Sequence, residues 1–563
     1  MKNTTALAFV ENLIERFERD TTNGKLKLNG VISEREYQAL QFTVKILNDL
    51  SEPALPKLVL KEIASLDTIN IKPVFTPILP NLNSIGIDQP ESPDILLCLD
   101  FGTAMSKAFA TDKTDDNLVD LKIGSEAGQS EPIYSLISSI FITDSGRILF
   151  GHRAVSESTR ADAINRKRLD SIKDILCKDV MCNLDEAPLE TAYNPTNIAL
   201  TKGDMVTLFL AYFTDMATSQ LQANGYSRYV SRRFTRPVLP PDRGSWAENQ
   251  LRVLIVRAQI LADTLHGGWH NGIDVETAKQ LLTEIRNLEM LPTYLINSGI
   301  IEPVAAVGSR FRSFRCEKNF RRLLMVIDVG AGTIDYALFA EVHEIGVPIK
   351  IWEILGSIQV LRQAGDMVDK LLRNYILKKA NVVSSDNDFL MIDADLSLKI
   401  RQLKEQLFQE SKVNVTLTND QLVQVNLGEF VEQPAVKEFE KSIHEKFFEC
   451  LAGVHKSWIE LFGNGDLAVV FTGGGATLPM IRSIENTNPF VHKKELKIKA
   501  STPIPPWVKN DYPELSSEFL QLAVAIGGAS RSIPILAPEQ FSEFKGLNES
   551  ESSWTIPPIY KGI

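Results

Sequence analysis

Residues 323–341, LLMVIDVGAGTIDYALFAE, decide how this chain is read. The apolar run 323–327 predicts a strand buried on both faces. It ends at Asp328, and Gly330, Ala331 and Gly332 follow at once. Thr333 and Asp335 come next, then a second apolar run over 336–340. The pattern is strand, tight turn, strand, with a turn of residues that have little or no side chain. Such a turn lets backbone N–H groups converge on one concavity, which attracts anions and above all phosphates. Asp328 repels a phosphate, so it reads as the ligand or water-holder of a divalent cation riding on one. Taken alone, the same letters also fit an ordinary hairpin with a glycine turn.

The device occurs earlier as well. Residues 95–112, ILLCLDFGTAMSKAFATD, give an apolar strand ending in Asp100, then Gly102 and Thr103, then a second strand through Phe109. A third piece, DLAVVFTGGGATLP at 466–479, runs an apolar strand into Thr472, Gly473, Gly474 and Gly475, with Pro479 opening a helix. One glycine turn is weak evidence. Three, each after a buried strand and in this order, point to two related halves gripping one nucleotide from opposite sides.

Composition narrows the field. At 563 residues the chain exceeds one core and suggests three or four domains or lobes. With 44% apolar and 23% charged residues it has a globular composition. Lys+Arg 60 against Asp+Glu 71 leaves −11, which argues against non-specific nucleic-acid binding. The basic clusters at 231–236 and 310–322 read as solvated edges. The five cysteines are scattered without metal spacing, a reducing-compartment pattern. Glu11 and Glu15 interrupt the N-terminal apolar stretch, and no apolar run approaches the roughly 20 residues that span a bilayer. The expectation is a cytoplasmic protein without membrane insertion.

Helical periodicity is read over 5–20 and 33–50, with Ser33 and Glu36 as a capping box. A proline-rich linker follows from 51 to 93. Residues 1–93 are thus a helical extension and linker, either a docking element for a partner or a brace on the main body. The body begins at 94. Helices are expected around 165–169, over 204–221 and 244–265, and in a region ending at 299–306. The strand at 229–241 falls between the second and third of these. In the second half, strands near 348–360 precede helices at 363–380 and 393–411. Residues 412–430 are strand-like, 434–463 helical, and a last helix starts at Glu514. A short tail runs from Pro534.

The order of the three turns resembles the actin, sugar-kinase and heat-shock ATPase superfamily, and smaller motifs resemble its seventy-kilodalton heat-shock chaperones. Glu302, Pro303, Val304, Ala305 and Ala306 look like that family's interlobe Glu-Pro-Thr-Ala-Ala. Lys167, Arg168 and Leu169 resemble a Lys-Arg-Leu segment of its first lobe. Ala364, Gly365 and Asp366, with Asp369, are similar to the segment after the second hairpin, and 472–479 resembles the adenosine turn. The resemblance implies an α/β, duplicated actin-like ATPase fold, with lobes at 94–312 and 313–533 around a nucleotide cleft, an extension at 1–93 and a tail at 534–563.

It also implies ATP/ADP and Mg²⁺ as cofactors and assigns roles by position. Asp100 and Asp328 would hold Mg²⁺. Gly102, Thr103, Gly330, Ala331, Gly332 and Thr333 would cradle the phosphates. Glu302, Asp328 and Asp335 would form the catalytic set. Gly365, Lys404, Gly473, Gly474 and Gly475 would line the nucleoside. The chain departs from the family at several points: Val155 falls where a Gly-x-x-Ala-Lys pattern puts the catalytic lysine, Thr477 replaces an arginine against the base, Ala104 and Val304 replace threonines, and Arg401 replaces an acidic residue. Either Arg153 or Lys167 supplies a substitute cation, or nothing does and turnover is feeble. The β-sandwich substrate domain and its lid are expected to be missing. Three functions compete: a chaperone-like ATP switch working on a protein client or partner, a catalytically weak nucleotide sensor or interaction module, and a small-molecule kinase or filament-forming ATPase.

Overall fold

The computed structural model describes residues 78–530, apart from 113–116, 125–133, 160–166, 178–180, 311–318, 346–348, 355 and 463–464, together with 17–19, 26–28, 533 and 535–536. Residues 1–76 and 77–563 form separate compact units. In the first, Phe17–Arg19 pairs antiparallel with Leu26–Leu28, which corrects the helical reading of the end of 5–20. The Asn23-Gly24 pair is a turn signal and Leu26-Lys27-Leu28 alternates with period two, and that outweighs the weaker helical spacing. Ser33, Glu36 and the rest of 33–50 lie outside the described residues.

The second unit is built on two mixed α/β sheets. In the first, β1 (Ile95–Asp100) and β2 (Met105–Asp112) form an antiparallel hairpin. Farther along the chain, helix α1 (Gly151–Ser158) and the two-residue strand β3 (Leu169–Asp170) belong to a smaller antiparallel sheet region. Strand β4 (Ser231–Arg236) lies parallel to β1, and β5 (Ile296–Ile301) lies parallel to β4. Helix α2 (Glu302–Gly308) follows directly. The second sheet repeats the plan: β6 (Phe320–Val329) and β7 (Ile334–His343) form the hairpin, with β8 (Lys350–Glu353) on its far side. After helices α3 (Gly365–Lys379) and α4 (Phe389–Glu410), β9 (Asp466–Thr472) lies parallel to β6 and β10 (Lys497–Ala500) parallel to β9. Each lobe thus has one glycine hairpin flanked on its first strand by two parallel strands.

Strand β6 is apolar on both faces because both are covered. Leu323, Met325, Ile327 and Val329 face a core shared with Val368, Ile376 and Phe447. Leu324 and Val326 face a second core with Ala305 and Val524. Each such aliphatic side chain contributes about 1.5–3 kcal/mol when fully buried. The second core is supplied by α2 and by the last helix, α5 (Phe519–Gly528). Helix α2 packs on β6 and β7, while α5 packs on β1, β2 and β4 of the first lobe and on β9 of the second. These two helices cross so tightly that a Cβ on Gly527 would lie 1.7 Å from the Ala305 carbonyl oxygen.

Three expectations need correction. Residues 296–301, expected to be helical, form the edge strand of the first sheet. β-branched Ile296, Ile300 and Ile301 suit that place, and Gly299 lets Phe234 and Glu248 close over the sheet. Leu169 lies in strand β3, paired with Ile140, and not in a helix. Ile535–Leu536, expected within the short tail, adds a parallel strand to β8. The end of the linker is a brace: Asn81 N–H donates to Thr264 Oγ1 (2.9 Å), Tyr294 donates to the Ser84 carbonyl (3.0 Å), and Ser227 donates to Glu91 (2.6 Å). Among the described residues no helix is long and apolar enough to cross a membrane.

Candidate functional site

The three glycine turns meet at one place. Gly330 N–H donates to the Thr333 carbonyl (2.9 Å) and closes the β6–β7 hairpin. Gly332 faces the first hairpin, where a Cβ would lie 3.4 Å from Thr103 Oγ1 and 3.2 Å from Asp174 Oδ1. The third turn is fastened to the second by Gly475 N–H, which donates to the Val329 carbonyl (3.0 Å). Gly473 has φ +85°, and a side chain there would strike the Val329 carbonyl and Asp328 Oδ1. Gly474 is exposed and faces open space. Helix α3 also starts on the second turn: Gly365 N–H donates to the Gly330 carbonyl (3.2 Å) and Asp366 N–H to that of Ala331 (2.8 Å).

Strand register then decides the charges. Asp328 stands opposite Asp335 in the second hairpin, and Asp100 stands opposite Lys107 in the first. Glu302, at the start of α2, joins Asp328 and Asp335 so that carboxylate oxygens of all three lie within 4.8 Å of one another. All three are buried. Thr333 donates to Asp335 Oδ2 (2.8 Å), while Asp335 Oδ1 is buried without a hydrogen-bond partner. Asp100 Oδ1 accepts from Thr235 (2.7 Å), and Lys107 Nζ lies 3.7 Å from Oδ2. The buried ammonium of Lys173 contacts Glu302.

Four buried carboxylates against two lysines leave negative charge in a place where water cannot spread it. Burial pushes the Asp328 carboxyl up to about 7, with Glu302 and Asp100 adding to the push and Lys107 and Lys173 opposing it. Burial, then Glu302 and Asp328, hold Asp335 well above the usual carboxylate range. Each uncompensated buried charge costs several kcal/mol. An oxygen-only donor set with one orphaned carboxylate oxygen fits a hard divalent cation.

The structure gathers the three glycine turns, with Gly102, Thr103, Gly330, Ala331, Gly332, Thr333, Gly473, Gly474 and Gly475, beside Asp100, Asp328, Asp335 and Glu302. The tight triad is Glu302, Asp328 and Asp335; Asp100, expected to share the metal with Asp328, lies outside it and is engaged by Thr235 and Lys107. Lys404, expected on the nucleoside, is fastened to Asp369 (2.8 Å) and to the carbonyl of Gly365 (3.1 Å). Arg401 pairs with Asp366 at 3.5 Å.

Neither expected substitute cation reaches the triad. Arg153 donates to the His270 carbonyl on an exposed face, and Lys167 is exposed. Lys107 and Lys173 stand there instead, and sequence reasoning missed both. Lys107 was within reach, because counting back across the first turn sets it opposite Asp100. Lys173 had no such signal. It arrives through a turn at Ser171, whose φ is +57°.

No protein-family model and no curated protein matches this chain. Its functional reading therefore rests on the residues in the cleft.

Proposed function

We propose that this chain is an actin-like, heat-shock-chaperone-like ATPase that binds ATP between its two lobes, hydrolyses it slowly to ADP and phosphate, and uses lobe closure to exchange a protein partner in the cytoplasm. The observation that carries this reading is the meeting of two opposed glycine turns with the buried Glu302–Asp328–Asp335 triad.

Phosphoryl transfer needs positioning and charge neutralisation more than covalent help. The N–H groups and hydroxyls of residues 102–103 and 330–333 would hold the β- and γ-phosphates, and Lys107 and Lys173 would balance their charge. Glu302, Asp328 and Asp335 would hold Mg²⁺, which supplies further neutralisation when bound. Glu302 would orient the attacking water. Residues 473–475, Gly365 and Lys404 would border the nucleoside. Helices α2 and α5, packed on both sheets, would carry closure from one lobe to the other.

A weakly hydrolysing nucleotide sensor is the second reading, favoured by Val155 standing where the family's pattern puts its catalytic lysine. Binding and turnover of ATP with Mg²⁺ test both, beside Asp328→Ala and Glu302→Ala. Slow turnover lost in Glu302→Ala with binding retained supports the ATPase. Binding without turnover selects the sensor. No nucleotide binding by the parent protein sinks the proposal.

A further inference from the structure

One short segment of the first lobe, residues 168–174, reaches toward the second lobe at several points. Arg168, whose side chain is buried, donates to Asp170 (2.7 Å) and to Ser158 of α1 (2.8 Å), which fixes the segment to its own lobe. Its Nη2 also lies 3.5 Å from the Leu398 carbonyl of α4. Ser171 Oγ donates to Asp366 Oδ2 (3.2 Å) at the first turn of α3, and Arg401 holds the other oxygen of the same carboxylate. Asp174 borders Gly332 of the second glycine turn. Between Ser171 and Asp174 sits Lys173, on Glu302.

The backbone at Ser171 explains why these contacts belong together. A non-glycine residue at φ +57° is held in a sparsely populated region, and it stays there only where its surroundings over-determine it. The turn is closed by Asp174 N–H donating to the Ser171 carbonyl (2.8 Å). From outside the first lobe, the Ser171 hydroxyl is held by Asp366. When Asp366 moves away with its lobe, the turn loses that restraint, and the residue two places on is the lysine.

We infer that Ser171 and Asp366 form a cross-cleft catch that positions Lys173 on Glu302 only when the lobes are closed. The inference rests on the nucleotide reading above. It makes Ser171, Asp366 and Arg168 positioning residues and Lys173 the group they position. Closure and delivery of the lysine are then a single event, so an open cleft holds nucleotide without the charge needed for turnover.

The test uses the full chain and compares the parent with Ser171→Ala, Ser171→Gly, Asp366→Asn and Lys173→Met. Two rates are read: release of a fluorescent ATP analogue, and single-turnover hydrolysis of ATP with Mg²⁺. Loss of one hydrogen bond that exists only in the closed state shifts closure about fivefold. Ser171→Ala and Asp366→Asn are expected to speed release and slow single-turnover hydrolysis by about that factor. Lys173→Met is expected to abolish most hydrolysis, and adding Asp366→Asn to it to speed release with no further loss of hydrolysis. That non-additivity is the mark of residues acting through one another.

Unchanged rates in Ser171→Ala and Asp366→Asn, with a parent that binds and hydrolyses ATP, overturn the catch and leave the ATPase intact. A defect in Ser171→Ala that Ser171→Gly repairs also overturns it, because backbone strain alone would then be the cause. If the parent binds ATP without turning it over, the release rates decide. No Mg²⁺-dependent nucleotide binding by the parent overturns both readings.

Discussion

Replacing Asp328 by Asn should stabilise the protein without a cation and remove its response to one. Burial, with Glu302 and Asp100, raises the carboxyl from 3.8 to about 7. At about 1.36 kcal/mol per unit, the ceiling is on the order of 4 kcal/mol, shared in practice with Asp335. Because the folded value is raised, stability is fully present below the unfolded value near 4 and is lost as pH rises through about 7. In a chelator, the melting temperature of the parent should therefore fall between pH 5 and pH 8.

Asp328→Asn removes the ionisation and should melt above the parent at pH 8, by roughly 5–15 °C for lobes of this size. Excess Mg²⁺ should raise the parent at pH 8, by about 2.7 kcal/mol at a hundredfold excess over its dissociation constant, and should leave the variant where it was. Scanning calorimetry over that pH range, with and without chelator, reads all of these effects. A parent whose melting temperature in chelator rises from pH 5 to pH 8, or an Asn variant less stable than the parent at pH 8, would refute the assignment of buried, uncompensated charge.

Three further outcomes are expected. Glu302→Gln should keep ATP binding and lose hydrolysis by at least about 100-fold in single-turnover assays; retention of full turnover would exclude Glu302 from orienting water. Gly527→Ala should cost about 3 kcal/mol or more, because the new Cβ meets the backbone of Ala305 and no side chain there can yield. Gly428→Ala, with nothing within 4 Å, should be neutral or stabilise by up to about 1 kcal/mol, and denaturant titration of the pair checks the contrast. Burial pushes the fully buried Glu341 carboxyl up, but Arg322 (2.5 Å) and His343 outweigh it and hold it below its usual value. Its stabilising contribution is present at neutral pH and lost as pH falls through that lowered value, so Arg322→Met should cost about 3–5 kcal/mol at pH 7 and less in acid, read by melting at both.

What could be read from the chain alone was local. The hairpins at 95–112 and 323–341 declare themselves because strand, turn and strand are contiguous, and glycine at 473 is required by a backbone that no other residue adopts easily. The triad was half legible: Asp328 and Asp335 face one another by register, but Glu302 arrives from α2, and only the resemblance to the interlobe motif pointed to it. Lys173 could not be read, because its place depends on the turn at Ser171 and on a lobe nearly two hundred residues away. Strand β5 was misread because its isoleucines, without clean alternation, fit a buried helix equally well. Arg153 and Lys167 were named by proximity in sequence to a motif, and the fold turns both elsewhere.

Strand Ile535–Leu536 lies along β8 at the margin of the second sheet. Without it, the outer main-chain groups of Trp352 and Glu353 would be open to any other extended chain. The place where the protein is cut or fused therefore matters. A tag joined after residue 536 leaves that margin sealed, whereas a version ending at residue 533 exposes it and should self-associate, visible as a concentration-dependent shift in sedimentation. On that expectation, the few residues after α5 serve to guard the margin against unwanted pairing, a duty separate from anything that happens at the glycine turns.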